Sequence, residues 1–333
     1  MARLSTIVCI VLVTLTAAAQ DPQFNLLVDV PIVSVNVQVQ DPVTGHTITT
    51  LKKEDFAIYE DGRPQDIRNF SPADEPYNIL VMFDCTGSIK NQWSFLRTAM
   101  DRFSEGLRPQ DRISIVAFGA GTVVLRDWTR RNDLRMDFEV PTSNKVCDDT
   151  DFYQAMTWAA GRISKVDGRK GVIVFSDGVH EHIPQRRTSV GGLPLTRFID
   201  PLDDDAFLAS LRNVRDSEAI FYFVAVNTDL NPAPVNDLLH PATAYSATAV
   251  FNLQQVRLRM EMLARESGGV IVYPRGVNDY AELFERIGAE LGSSYSLGYA
   301  PPDPSDLLRH RIEVRVMDKE LKVRQSRDTY RIQ

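Results

Sequence analysis

The chain has 333 residues, of which 44% are hydrophobic and 24% charged, and a formal charge of -7. That is the composition of a folded protein with one large core and a smaller one. An acidic balance gives no basic face for nucleic acid, and no internal run of about 18 apolar residues offers a membrane span.

At the start, Arg3 precedes an apolar stretch over residues 4–19 that ends in Ala17-Ala18-Ala19. A basic start, a short apolar run and small residues describe a secretory signal peptide over 1–19, cut near Ala19. The run is short for a retained anchor, so the mature protein is expected to be exported without a membrane span, to a periplasm or the extracellular space. Cleavage removes Cys9 and leaves Cys85 and Cys147, an even pair whose bonding the spacing leaves open.

Residues 26–71 read as short strands. Val33, Val35, Val37 and Val39 recur in strict period two, and Phe56-Ala57-Ile58-Tyr59 is a further strand. Asp41-Pro42-Val43-Thr44-Gly45 and Glu60-Asp61-Gly62 are turn sequences.

Residues 76–292 change rhythm. Apolar runs at 78–83, 113–118, 171–175, 220–226 and 269–272 predict buried strands, and stretches at 92–107, 152–163, 206–214, 256–266 and 280–291 predict helices. Such alternation predicts an α/β fold, a doubly wound and mostly parallel sheet covered on both faces. From residue 293 the β rhythm returns in Tyr295-Ser296-Leu297-Gly298-Tyr299 and at 311–316, 322–324 and 330–332. Each flank alone is too small for a good core, so 26–71 and 293–333 are predicted to form one β-sandwich with the α/β domain inserted between them.

In open α/β sheets, ligands sit outside the carboxyl ends of the strands. Three segments there carry oxygen ligands: Asp84-Cys85-Thr86-Gly87-Ser88, Asp148-Asp149-Thr150-Asp151 and Ser176-Asp177-Gly178. A hard divalent cation takes oxygen ligands in a near-octahedral set and keeps some waters. Alternate side chains of a tight loop at Asp84, Thr86 and Ser88 can deliver one carboxylate and two hydroxyls, with Gly87 easing the turn. Thr150 adds a third hydroxyl and Asp177 a second carboxylate. Two carboxylates neutralise the ion and leave it able to accept an outside ligand.

These residues resemble the von Willebrand factor type A domains, whose metal-ion-dependent adhesion site reads Asp-x-Ser-x-Ser with a distant Thr and a distant Asp. Asp84, Ser88, Thr150 and Asp177 match that pattern, and Thr86 replaces a Ser while keeping the hydroxyl. Thr150-Asp151-Phe152-Tyr153-Gln154-Ala155-Met156 is similar to the helix start after the family's metal-binding Thr. Cys147-Asp148-Asp149 stands where the family carries a Gly-rich run. The flanks Lys53-Glu54-Asp55-Phe56, Glu60-Asp61-Gly62 and Ser294-Tyr295-Ser296-Leu297-Gly298-Tyr299 resemble secreted bacterial proteins with a type A-related domain, described mostly from acidobacteria. The resemblance implies a divalent ion, Mg²⁺ first and Mn²⁺ or Ca²⁺ as alternatives, completed by an acidic side chain of a protein partner. It implies a binding protein and no enzyme.

Other readings attach to the same residues. The ion could serve only to stabilise the loops of a structural or assembly protein. A phosphotransferase of the haloacid dehalogenase type needs a second carboxylate two residues after its Asp, where this chain has Thr86. A thiol hydrolase would pair Cys85 with His180, but nothing in the sequence specifies that geometry. The blander alternative is a Cys85–Cys147 disulfide tying two metal-site loops together. His180-Glu181-His182 reads as polar loop more than as a metal pair. Two long connections, 179–205 with Arg186, Arg187, Arg197 and Phe198, and 227–250, are expected to wall the metal face and choose the partner. The sequence names neither that partner nor an oligomeric state.

Overall fold

The computed structural model describes residues 32–87, 93–135, 137–139, 145–180, 183–190, 193–226, 241–274, 279–303, 306 and 308–331, with backbone alone at 94, 96, 188, 190, 193–195, 241–250 and 331. The expected signal peptide at 1–19 lies outside the described residues. Four strands come first: β1 (Val33–Gln40), β2 (Phe56–Glu60), β3 (Arg63–Gln65) and β4 (Ile67–Ser71). The four period-two valines of β1 are all buried, as a strand with one face on a core requires.

The α/β layer follows. Its strands are β5 (Tyr77–Asp84), β6 (Arg112–Phe118), β7 (Thr122–Arg130), β8 (Arg169–Ser176), β11 (Ile220–Ala225) and β12 (Ile271–Val272). The sheet order is β12-β11-β8-β5-β6-β7, parallel throughout except for β7, which runs antiparallel at one edge. Helices α1 (Trp93–Gly106) and α5 (Asp279–Ser293) pack on one face, and α2 (Phe152–Ile163), α3 (Asp205–Asp216) and α4 (Pro241–Ser267) on the other. All eight residues of β5 are buried, because both faces of a parallel strand are covered. Its alternate side chains divide between two cores, Leu80 and Met82 towards α2, and Ile79, Val81 and Phe83 towards α1 and α5.

Both long connections carry more regular structure than the sequence reading gave them. The first carries two antiparallel strands, β9 (Gln185–Val190) paired with β10 (Leu193–Phe198). Residues 241–250 belong to the 27-residue α4. Their Ala-rich sequence favours helix but lacks an apolar period, and Pro241 stands first, where a helix tolerates proline. Residues 227–240 lie outside the described set. The edge strand β7 also went unpredicted, since its mixed sequence TVVLRDWTR covers only one side of a core.

Four strands close the chain: β13 (Tyr295–Tyr299), β14 (Arg309–Val316), β15 (Lys322–Gln325) and β16 (Thr329–Arg331). They interleave with the first four as two sheets, β15-β1-β13-β4 and β16-β14-β2-β3, around one core that includes Val35, Val37, Ile58, Leu297, Ile312 and Val314. Neither flank could bury these residues by itself. Two arginines hold the points where the chain leaves and re-enters the sandwich. Arg169 is buried, lies over the Tyr77 ring and donates to Ala73, Glu75, Leu291 and Ser294 carbonyls, while Arg108 donates to Ala73, Glu75 and Gly292 carbonyls. A guanidinium suits this place because its five donors satisfy several orphan carbonyls at once.

Candidate metal centre

The site begins with strand register. β5 and β8 run parallel with Phe83 beside Phe175, so Asp84 and Ser176 leave the sheet side by side. Asp84 is fully buried. Its Oδ1 accepts from the Thr86 amide at 3.0 Å and the Thr86 hydroxyl at 2.7 Å, and its Oδ2 accepts from the Ser176 hydroxyl at 2.7 Å. Burial, and next the negative charge of Asp177, push the Asp84 carboxyl up to about 6 against the pull of the Thr86 and Ser176 hydrogen bonds. Its hydrogen-bond partners among the described residues are hydroxyls and an amide, none of them a cation.

The third loop turns back through Gly178, at φ +71°, where a Cβ would meet Met260 Sδ at 2.7 Å. The Ser176 hydroxyl accepts from the Gly178 amide at 2.9 Å, and Asp177 Oδ1 accepts from the Val179 amide at 3.1 Å. The second loop is held from below. Asp151 caps α2 by accepting from the Gln154 amide at 3.0 Å, which fixes the buried Thr150 next to the helix start. The Asp151 amide donates to Gly119 O at 2.9 Å, and the Ala120 amide to Val146 O at 2.7 Å. Gly119 allows this approach: a Cβ there would lie 2.1 Å from Val146 O.

Cys85 and Cys147 form a disulfide with Cα atoms 5.2 Å apart, so the first loop is covalently tied to the second. That removes Cys85 as a free nucleophile and with it the thiol-hydrolase reading. His180 Nδ1 instead lies 3.3 Å from the Thr150 carbonyl and 3.6 Å from Asp151 Oδ1, and its ring packs on Tyr153 with centroids 4.0 Å apart. It links the third loop to the second. Glu181 and His182 lie outside the described residues, as does Ser88.

Residues 79–180 match the family model of the von Willebrand factor type A domain, a span from β5 to the loop after β8. The chain carries a von Willebrand factor type A domain. No curated protein matches the sequence. Among solved structures, the chain is similar to a von Willebrand factor type A protein from Catenulispora acidiphila, at 13% identity over 84% of this chain and 72% of that one, with a TM-score of 0.44. It is similar to proximal thread matrix protein 1 from the mussel byssus with a zinc-occupied MIDAS motif, at 11% identity over 68% of this chain and 48% of that one, with a TM-score of 0.42. It is also similar to manganese-loaded TRAP protein from Plasmodium vivax, at 11% identity over 81% of this chain and 97% of that one, with a TM-score of 0.37. These likenesses are distant.

The type A domain of this chain therefore gathers Asp84, Thr86 and Asp177 at adjoining strand ends, with Thr150 on the loop that His180 and the disulfide bind to them. The donor set fits a hard cation. A hydroxyl that donates to a carboxylate keeps lone pairs for an ion, and two buried carboxylates supply its counter-charge. Ser176 is the residue the sequence reading underrated: it named the Ser176-Asp177-Gly178 loop but credited Asp177 alone. The signal was the parallel register, which no single segment contains. A second polar cluster was also missed. Tyr153 and Arg259 meet Asp204 in the core between α2, α3 and α4, with Arg259 Nη2 3.2 Å and the Tyr153 hydroxyl 2.8 Å from Asp204 Oδ2.

On the β9–β10 pair, Arg186 and Arg187 are exposed, whereas Arg197 and Phe198 are half-buried. The Arg197 guanidinium lies over the Phe251 ring, and Phe198 packs against the helix-side core while its amide donates to Asn252.

Proposed function

We propose that this type A domain holds a divalent cation through Asp84, Thr86, Ser88, Thr150 and Asp177 and presents it to an acidic side chain of a protein partner. Asp84 carries the reading. A fully buried carboxylate, raised by burial and by a second carboxylate and with no cation beside it among the described residues, is costly when ionised unless a positive charge arrives. An ion would supply that charge and remain open to one further oxygen. The partner's carboxylate then adds charge and geometry, and the exposed Arg186 and Arg187 of the β9–β10 pair add selectivity. Mg²⁺ suits the all-oxygen set best, and the chemistry calls for binding with no bond made or broken. The sandwich of residues 26–71 and 293–333 serves as the frame for the domain at 76–292. Export after cleavage of 1–19 agrees with a disulfide, which persists in oxidising compartments. Among the described residues no helix is long and apolar enough to cross a membrane.

Thermal unfolding with Mg²⁺, Mn²⁺, Ca²⁺ or chelator, for the wild type and Asp84→Ala, tests the ion. A metal at about 100 times its dissociation constant stabilises the fold by about 2.7 kcal/mol, and Asp84→Ala is expected to abolish that gain. A wild-type midpoint that no metal moves would refute the site. A pull-down from the native environment that requires metal and fails with Asp84→Ala separates a presented ion from one that only stiffens the loops.

A further inference from the structure

Far from the type A site in sequence, Glu60, Asp61 and His310 bring together ligand atoms that all lie within 4.8 Å of one another. Glu60 ends β2, Asp61 begins the turn into β3 at φ +48°, and His310 stands on β14. β14 pairs with β2, and the Asp61 turn locks onto it: the Asp61 amide donates to Arg311 O, and the Arg311 amide donates to Asp61 Oδ1, both at 2.9 Å. His310 has the inward parity of Ile312 and Val314, so its ring points into the end of the sandwich.

The spacing suits ligands of one ion. His310 Nδ1 lies 2.8 Å from Asp61 Oδ2 and 3.7 Å from Glu60 Oε1. Neighbouring ligands around a cation with bonds near 2.0–2.2 Å are about 3 Å apart. A further observation points to a ligand. His310, only 9% exposed, has a buried Nε2 without a hydrogen-bond partner among the described residues, 3.6 Å from Asp306 Oδ2. A carboxylate behind the distal nitrogen is the arrangement that orients a metal-bound histidine. The Tyr299 hydroxyl is buried beside Glu60 and Tyr330. Tyr330 donates to Glu60 Oε2 at 2.7 Å, which leaves Oε1 on the side of His310. Asp61 is half-exposed, so water can reach the remaining positions.

We propose that Glu60, Asp61 and His310 form a second metal site, for a borderline cation of the Zn²⁺ type, that pins the two flanks of the sandwich together. One imidazole and two carboxylates select such an ion, whereas the all-oxygen loops of the type A site select a harder one. Asp306 is a positioning residue that orients the imidazole. Burial lowers the His310 pKa, but the hydrogen bond with Asp61 and the charges of Glu60, Asp61 and Asp306 outweigh it and raise the pKa, so proton and metal compete for Nδ1.

The test uses the full untagged chain carrying Asp84→Ala, which takes the type A site out of play and makes the two proposals fail separately. Co²⁺ followed by its visible absorption, and Zn²⁺ by calorimetry, are expected to show one equivalent bound at neutral pH. Adding His310→Gln is expected to abolish binding, and Asp306→Asn to weaken it about 10- to 100-fold. Absence of binding in Asp84→Ala, or binding unchanged by His310→Gln, overturns the proposal. If His310→Gln disturbs folding, the imidazole nitrogen resonances of His310 in the Asp84→Ala protein decide. Zn²⁺ must shift Nδ1, and an unmoved resonance overturns the site.

Discussion

Two buried aspartates in the type A layer meet opposite fates. Asp204 sits between α3 and α4 with the Arg259 guanidinium and the Tyr153 hydroxyl on the same carboxylate oxygen, and both charged residues are about 1% exposed. Asp84, equally buried at the sheet end, faces hydroxyls, an amide and the charge of a second carboxylate. The chain supplies a cation to the aspartate that holds helices together. Among the described residues it supplies none to the aspartate at the strand ends. Burial alone therefore does not separate the two carboxylates, and the presence of a counter-charge among the described residues does.

The comparison can be broken first at Arg259. Arg259→Ala takes the counter-charge from the buried Asp204, and unfolding in urea is expected to show a loss of about 3–5 kcal/mol. A loss below about 1 kcal/mol would mean that Asp204 does not depend on its cation. Next comes the covalent tie on the other side. Removing the Cys85–Cys147 bond, which closes a loop of sequence separation 62, is expected to cost about 2–4 kcal/mol. It should also weaken the response of the midpoint to metal, while the Asp204 region keeps its contribution. A midpoint unchanged by reductant would show that the tie is dispensable.

Asp84 responds with the opposite sign. Its folded-state carboxyl stands at about 6, above the ordinary 3.8, so the folded protein binds the proton more tightly than the unfolded chain does. Metal-free stability is then expected to fall as pH rises from about 4 to 6, by on the order of 3 kcal/mol, and to level off above. Asp84→Asn should remove that slope and, in chelator at neutral pH, stabilise the protein, less what the weakened Thr86 and Ser176 hydrogen bonds cost. With metal present the order reverses, because only the wild type gains. A slope that persists unchanged in Asp84→Asn would sink this account. The smallest effect belongs to the α2 cap. Asp151→Ala is expected to cost about 1 kcal/mol in unfolding and to loosen metal affinity through Thr150, read by titration of the folded variant.

Much of this was legible in the sequence for a reason that particular elements show. α2 needs only local information: an Asp151 cap and apolar residues at helical spacing give its bounds, Phe152–Ile163, directly. β5 is an eight-residue run without a polar face except at its ends, which announces a strand buried on both sides. The edge strand β7 and the β9–β10 pair carry weaker signals, because a half-covered strand tolerates charged side chains. The oxygen-bearing side chains of Asp84, Thr86, Ser88, Thr150 and Asp177 were readable as a motif, the one that the proposed hard-cation site requires.

Sequence by itself thus determined the order of elements, the strand-end loops and the residue types at them. Tertiary structure alone decided which groups meet. It placed Ser176 on Asp84 through parallel register, joined Cys85 to Cys147, turned His180 onto the Thr150 loop, and gave Arg259 to Asp204 while Asp84 meets no cation among the described residues. It also brought Glu60 and Asp61 to His310 across most of the chain. Composition and periodicity act over a few residues, whereas each of these encounters depends on strand register and helix packing between segments far apart in sequence.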